Sequence, residues 1–458
     1  MTRRPAGGDR VAAALADPRR AVWRLALPIL AGIGVQTLYN LTDMAFVGRL
    51  GGSAVAALTF SMPLVFLATG IAFGLGAGAT SAVARHLGAG DRPGAGHAAE
   101  HAILLALAVG LGTAAAAIAF QLDLFRALGA RDEPLHLATR YFGILAPGFV
   151  IVLLNGTFHA ILAGEGDTRT PVALQGSGTL LNIGLDPVFI FAAGMGIRGA
   201  AVATVVSQAL VCCAFLIHLF VRRGSYVEFR FREFRPSAAT AAGLLRVGLP
   251  SSGSMLIMAA GGMFYNRIVS AFGPDAVAGI GVGSRLDAVF FLPVIALATS
   301  MVTVVGMFFG AGRVDLIRST VRYALTRSVS FAVAIGVLFW IFAPRLAGLF
   351  TTEPVIVDVA VGYIRVITWA FPFIAVGIVS GSVFRGLGSG LPGLVLTSLR
   401  VLLISVPLAW TLTRVLHLGL ETVWLSFAAS GLITSFVALA WMHRRLRAEE
   451  RRERRRHG

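Results

Sequence analysis

Long apolar segments recur along the whole length of this sequence. A helix of about 20 apolar residues is buried only by the hydrocarbon interior of a bilayer. Barrel strands would be about 10 residues long and would alternate apolar with polar positions, a pattern that the sequence does not show. Only 13% of the residues are charged, against about 25% in soluble domains. The sequence therefore predicts an all-α integral membrane protein.

Glycine, proline and charged residues divide the apolar sequence into twelve predicted transmembrane helices. Many of their residues are glycine or alanine, which favours close packing of helices through small faces. The predicted spans are 21–48, 54–86, 97–120, 134–162, 170–193, 198–221, 240–271, 276–308, 316–343, 355–384, 391–413 and 419–443.

The sequence repeats itself after about 222 positions, a shift that aligns Pro28 with Pro250 and Gly51 with Gly273. Internal symmetry of this kind is typical of transporters that bind their substrate between two lobes. We therefore predict two pseudo-symmetric lobes of six helices each. The predicted domains are an N-lobe over 1–222, a cytoplasmic linker over 223–239, a C-lobe over 240–445 and a basic cytoplasmic tail over 446–458.

All 39 basic residues are arginine, a usage typical of GC-rich bacterial genomes. They cluster in alternate loops, in the linker and in the tail, whereas the opposite loops carry isolated ones such as Arg49, Arg198 and Arg414. The positive-inside rule then places both termini in the cytoplasm, and we expect the inner (cell) membrane of a bacterium. Membrane lipids are expected partners, and a monomer is expected. Nucleic acid is excluded as a partner, because the arginines lie at helix ends and in the tail.

Two carboxylates, Asp43 and Asp186, lie inside apolar spans of the first half. At the repeat offset Asp43 aligns with Tyr265, and with one residue dropped Asp186 aligns with Pro407. Acids inside a membrane are costly and typically functional. The asymmetry therefore indicates ion-coupled transport with the coupling site in the first lobe. The alternatives are an interfacial position for Asp43 and a capping role for Asp186 before its proline.

Polar neighbours at helical spacing strengthen the coupling hypothesis. Asn40 lies three residues before Asp43, and Asn182 lies four before Asp186, so each pair shares a helix face. Asn155 and Thr204 add neutral oxygens from other spans. Such a set of oxygens suits Na⁺, whereas two nearby acids would also raise one another's affinity for H⁺. Both ions remain open at this point.

The sequence resembles transporters of the multidrug and toxic compound extrusion (MATE) family, and most closely their DinF-like branch. The residues that carry the resemblance are RLALPILAGIGVQTLYNLTDMAFVGRLG in the first span, ARHLGAGD, AGEGDTRTP, LLNIGLDPVF and VFRGLGSG. The resemblance covers roughly residues 20–443. It implies twelve helices in two lobes and secondary active export of amphipathic, often cationic organic compounds in exchange for H⁺ or Na⁺.

The resemblance assigns ion coupling to Asp43 and Asp186, with Asn155, Asn182 and Thr204 at supporting positions. It also implies that the first helix bends at Pro28. The seventh and tenth spans lack the acids that the NorM-like branch carries there, so no ion site is expected in the second lobe. The candidates for the substrate cavity are Gln36, Tyr39, Asp287 and Phe290, although Asp287 would more simply pair with a nearby arginine.

Other functions fit the sequence less well. A flippase for a lipid-linked precursor would need a strongly cationic cavity, for which the second-lobe arginines give slight support. A membrane-embedded prenyltransferase would need two acidic motifs, and only NIGLD at 182–186 resembles one. No glycine loop with a lysine occurs, so ATP is not expected to drive the protein. We expect a transporter rather than an enzyme, with no cofactor beyond its coupling ion.

Overall fold

The computed structural model describes the backbone from Gly7 to His457 and the side chains from Arg10 to Arg455 except residues 38–41 and 45. This part of the chain contains only helices and their connections. The α-helices are α1 (Gly7–Ala16), α2 (Pro18–Gly48), α3 (Gly52–Gly88), α4 (Arg92–Ala127), α5 (Asp132–Leu145), α6 (Phe149–Gly164), α7 (Arg169–Pro187), α8 (Ile197–Leu216), α9 (Ala238–Val269), α10 (Pro274–Gly310), α11 (Val314–Gly348), α12 (Pro354–Gly386), α13 (Leu391–Ser398), α14 (Val406–Trp410) and α15 (Glu421–His457).

Short irregular turns join or extend several of these helices. A 3₁₀ turn connects α5 to α6, and π-helical turns extend α7 and α8. Further π-helical turns, Leu399–Ser405 and Thr411–Val415, lie on either side of α14. Three of these π turns adjoin Pro187 or α14, which carries Pro407, as expected because proline removes a backbone donor and displaces the regular ladder.

Within the described residues, 11 helical segments are long and apolar enough to cross a membrane. They correspond to every predicted span except the fifth. The fifth span is helical as well, through α7 and its π turn, Val188–Ala192. Its composition explains the difference, because α7 carries the polar residues Gln175, Ser177, Thr179, Asn182 and Asp186.

The chain forms two compact units. Unit 1 comprises Leu27–Ser252 and the described residues up to Ala13; unit 2 comprises Ala14–Ala26 and the chain from Gly253 onward. Helix α2 therefore changes unit beside Pro28, and α9 changes unit beside Pro250. Both prolines lie inside helices that continue through them.

Aromatic side chains fill the interior of each unit. In unit 1, Phe142 contacts both Phe125 and Phe149 with ring centroids 5.6 Å apart in each pair. In unit 2, Phe290 stacks on Phe371 with ring centroids 3.8 Å apart. These buried rings supply much of the apolar contact that holds the helices at fixed positions.

The first part of α9 packs against α3 in unit 1 through glycine. A Cβ atom at Gly74 would lie 2.5 Å from the carbonyl oxygen of Gly248, and one at Gly78 would lie 2.5 Å from that of Leu244. Those separations leave no space for a methyl group. Glycines one turn apart therefore let the two helix backbones approach closely, as small residues do in membrane helix pairs.

The first part of α2 packs in unit 2. The Trp23 indole Nε1 donates a hydrogen bond to the Tyr323 hydroxyl at 2.9 Å, and the Trp23 ring lies edge-on to Phe331 at 5.9 Å. Both partners belong to α11. The indole N–H is thus satisfied and its ring packs edge-on against Phe331, which fixes this part of α2 on α11.

The connection between α8 and α9 is held on unit 1 by buried acids. The Glu165 carboxylate accepts hydrogen bonds from the backbone N–H groups of Tyr226 at 3.0 Å and Val227 at 3.2 Å, and from the Ser225 hydroxyl. Glu100 in α4 accepts from the backbone N–H of Arg230. These hydrogen bonds attach the connection to α4 and to the end of α6, so it is an ordered part of unit 1.

Candidate ion-coupling site

Asp43 and Asp186 lie between two contacts that α2 makes with α7 and with the π turn that extends α7. At one end, a Cβ atom at Gly32 would meet the Val172 side chain at 3.1 Å. At the other end, the rings of Phe46 and Phe191 meet edge-on with centroids 6.3 Å apart. Asp43 follows Gly32 by roughly 16 Å of helix and Asp186 follows Val172 by roughly 21 Å, at 1.5 Å per residue.

The two helices therefore run in parallel with nearly matched register. The two acids lie within about one helical turn of each other in height, near enough for their carboxylates to interact electrostatically. The structure thus brings together two acids that are 143 positions apart in the sequence. Spacing along the chain could place each acid on a helix face but could not show that the two helices meet.

Asp186 is fully buried, and neither of its carboxylate oxygens has a hydrogen-bond partner among the described residues. Asn182, one turn earlier on α7, is 3% exposed, and its amide nitrogen and oxygen likewise have no partner within that part of the chain. A buried carboxylate without partners is costly when ionised. This geometry therefore favours neutralisation of the site by a proton or a cation.

Asn155 is joined to α8 by a residue that the sequence did not reveal. Its Nδ2 donates to both the backbone oxygen and the Oε1 of Gln208, at 2.9 Å each. Gln175 Nε2 also donates to Gln208 Oε1, at 3.4 Å. The Asn155 Oδ1 atom has no partner among the described side chains, so it remains an open acceptor. Gln208 lies one turn after Thr204 on the same face, which is the spacing that would have identified it.

Thr204 donates its hydroxyl proton to the Ala200 carbonyl at 3.0 Å within α8. Its oxygen keeps acceptor capacity for another donor or a cation. Within the described residues, no hydrogen bond links Thr204 or Asn155 to either acid. The structure thus brings Asp43 close to Asp186 and places Asn182 one turn before Asp186, while Asn155 and Thr204 belong to adjoining helices of the same unit.

The remaining first-half candidates lie on α2. The side chains of Tyr39 and Asn40 lie outside the described residues. Gln36 is exposed, as a residue facing a cavity or lipid would be. Pro28 lies in the interior of α2, next to the point where that helix changes unit.

Two expectations for the second lobe need correction. The described partner of the Asp287 carboxylate is the Tyr363 hydroxyl, which donates to it, whereas Arg285 is exposed and lies 5.8 Å from the Phe350 ring. Phe290 is fully buried and stacked on Phe371. Phe290 is therefore a packing residue and not part of a cavity wall, because its ring is already covered on its face.

The MatE family profile matches this chain twice, over residues 28–188 and 250–411. The chain belongs to the MatE family. The two matches begin at the prolines that the internal repeat aligns, 222 positions apart. The predicted MATE family is thereby confirmed, and with it the all-α fold of twelve membrane helices in two lobes. The chain is a multi-pass membrane protein of a transporter family.

Relatives extend over nearly the full length. A probable multidrug resistance protein NorM of Thermotoga maritima is 27% identical and covers 94% of this chain and 95% of its own length. An FAD transporter of Shewanella oneidensis is 28% identical, covering 85% of this chain and 87% of its own length. A crystal structure of a MATE transporter in the bent conformation has a TM-score of 0.94 at 32% identity, covering 98% of this chain and 100% of its own.

Proposed function

We propose that this MatE protein is a secondary active antiporter of the DinF-like branch. It exports amphipathic, often cationic organic compounds across the bacterial cell membrane in exchange for H⁺ or Na⁺. The observation that carries the proposal is the fully buried Asp186 carboxylate, unpartnered among the described residues and within electrostatic range of Asp43. A relative named for multidrug resistance supports the class of cargo.

The chemistry of the site suits reversible ion binding. Removing one negative charge from two adjacent carboxylates relieves both their repulsion and the cost of burying an ion. A proton would neutralise either acid directly. A sodium ion would take oxygen ligands, which Asp186, Asn182 and the open Asn155 Oδ1 supply. Coupling follows if the cargo binds better when the ion has left.

Conformational change in this cycle is assigned to α2. Proline inside a helix removes one hydrogen bond and clashes with the preceding turn, so Pro28 marks where α2 bends most easily. Asp43 lies beyond that point on the same helix. The crystal structure of a similar MATE protein in a bent conformation supports a transport cycle that includes bending. We propose that occupancy of the two acids sets the bend of α2.

Arginine distribution supports the proposed orientation. The described C-terminal part of α15 carries exposed arginines beyond the apolar part of that helix, as expected at a cytoplasmic end. We therefore propose that both termini lie in the cytoplasm. The FAD transporter relative favours a second candidate cargo, an anionic cofactor-like compound carried by the same ion-coupled mechanism.

Transport in proteoliposomes tests the proposal. A fluorescent cationic dye and FAD are each loaded, and an imposed pH gradient and an imposed Na⁺ gradient are applied separately. We expect either the pH gradient or the Na⁺ gradient to drive transport of one of the two compounds. The Asp186→Asn variant should show only the leak rate of protein-free vesicles. Equal rates with and without gradients would refute ion coupling. Movement of FAD but not of the dye would replace the first cargo by the second.

A further inference from the structure

An arginine-bearing groove opens on unit 2 beside the C-terminal ends of α9 and α14. It has a volume of about 420 Å³. It is lined by Phe264, Arg267, Ile268, Val406, Pro407, Trp410 and Arg414. The lining contains two arginines and no acid. We propose that this groove binds the phosphate headgroup of one anionic phospholipid.

Neither arginine is neutralised by the protein. Arg267 lies in the last turn of α9 and Arg414 in the π turn after α14, and both are exposed. Neither guanidinium has a hydrogen-bond or ion-pair partner within the described residues. Arginine donors match phosphate oxygens in geometry as well as in charge.

The position of Arg267 and Arg414 on the molecule also favours a bound anion. In the proposed orientation both arginines lie on the outer face, where the positive-inside rule disfavours them. A helix C-terminus attracts a cation by its dipole, and that would account for either arginine singly. It does not account for two unpaired arginines that line one groove together with exposed aromatic rings.

The walls below the arginines fit a lipid rather than a free anion. Phe264 lies one turn before Arg267 and is 51% exposed, and Trp410 lies one turn before Arg414 and is 54% exposed. Val406 and Pro407 continue the apolar wall to roughly 11 Å below Arg414, at 1.5 Å per residue. A charged rim above an apolar wall matches the headgroup and upper acyl chain of a phospholipid. An exposed Trp at such a depth is typical of the membrane interface.

Native mass spectrometry with phosphatidylglycerol or phosphatidylcholine tests the site without any transport measurement. We expect the wild-type protein to retain one phosphatidylglycerol preferentially. Each arginine near a membrane surface contributes about 1 kcal/mol, so Arg267→Gln with Arg414→Gln should weaken that binding about thirtyfold. The matched control, Arg49→Gln with Arg198→Gln, removes two other exposed arginines predicted on the same side and should leave it unchanged.

Two further measurements distinguish a lipid phosphate from free inorganic phosphate. Inorganic phosphate should not compete at millimolar concentration, and Trp410→Ala should weaken lipid binding with both arginines in place. Unchanged melting temperatures in phosphatidylcholine nanodiscs establish that the variants are folded. Equal weakening in the control pair, no weakening in the groove pair, or full competition by inorganic phosphate would each overturn the proposal.

Discussion

The Tyr265 hydroxyl hydrogen-bonds to the Ser405 hydroxyl in unit 2, at the position that the internal repeat aligns with Asp43. Ser426 on α15 lies 3.4 Å from the same Tyr265 oxygen. Where the first half of the repeat carries a carboxylate, the second half therefore has a neutral chain of hydroxyls that satisfy one another. Such a chain joins α9, the segment before α14, and α15.

Neutralising either first-lobe acid should abolish coupling. In Asp43→Asn and Asp186→Asn, no carboxylate remains at the altered position to bind and release the coupling ion, so gradient-driven efflux should fall to the leak rate. The amide is nearly isosteric and removes a buried charge, so the melting temperature should be maintained or raised. Efflux and thermal unfolding are measured on the same preparations. Wild-type efflux by well-folded Asp43→Asn protein would contradict the assignment.

Changes in unit 2 should act differently. Tyr265→Phe removes the hydrogen bonds to Ser405 and Ser426 and should cost about 1–2 kcal/mol of stability without altering the ion-to-cargo ratio. Asp287→Asn, which changes the acceptor of the Tyr363 hydroxyl, should alter apparent cargo affinity or stability more than that ratio. Stoichiometry is measured from cargo accumulation at several imposed gradients. Normal cargo binding with complete loss of gradient response in Asp287→Asn would show that unit 2 takes part in coupling.

Pro28→Ala should straighten α2. The substitution restores an N–H that can donate to the Arg24 carbonyl and relieves the clash in the preceding turn. Spin labels at Gln36 on α2 and at Leu180 on α7, both exposed, report the distance between these helices. We expect this distance to change with pH or Na⁺ in the wild type and to change much less in Pro28→Ala and in the doubly neutralised variant. Pro250→Ala is the matched control and should leave the response intact.

Glu165 should make stability depend on pH. Burial raises the pKa of its carboxyl from 4.5 to about 7, although hydrogen bonds from Ser225 and Val227 oppose the rise. Because the folded state holds the proton more tightly, the stability contributed by protonated Glu165 is complete below about pH 4.5 and is lost as the pH rises through about 7.

Glu165→Gln should flatten that dependence. We expect the difference in Tm between pH 5.5 and pH 8 to be smaller in the variant than in the wild type. Asp91→Asn is the control, since Asp91 is exposed and hydrogen bonding from Gly94 and His86 lowers its pKa instead. An unchanged pH profile in Glu165→Gln would mean that this carboxyl does not titrate in the range.

Gly78→Leu should separate α3 from the start of α9. The added side chain would collide with the Leu244 backbone, and overpacking of this kind costs about 1–3 kcal/mol. Gly112→Leu on α4 is the matched control, because no atom lies within 4 Å of a Cβ placed there. Thermal unfolding in detergent should show a lower Tm for the first variant alone, and equal Tm values would contradict the close approach.

Hydropathy and the repeat were sufficient to predict the helices and their order, because bilayer burial forces long apolar segments on each span. The family was predicted separately, from the resemblance of sequence motifs such as LLNIGLDPVF. The two acids were also predictable, since a carboxylate in such a segment stands out. The convergence of Asp43 with Asp186 was not, because it depends on how α2 packs on α7. Gln208 was missed for the same reason. Phe290 was misassigned, because sequence cannot tell a buried phenylalanine from one that lines a cavity.

The first part of α2, before Pro28, belongs to unit 2, and the first part of α9, which includes Pro250, belongs to unit 1. This arrangement has a consequence for biosynthesis. When the ribosome has completed the first six spans, unit 1 still lacks the first part of α9, up to Ser252, which packs against α3. Unit 2 in turn requires Ala14–Ala26, which were synthesised long before it. Neither repeat is therefore a self-sufficient folding unit. A chain cut within the connection between α8 and α9 should yield two fragments that mature only when both are inserted into the same membrane.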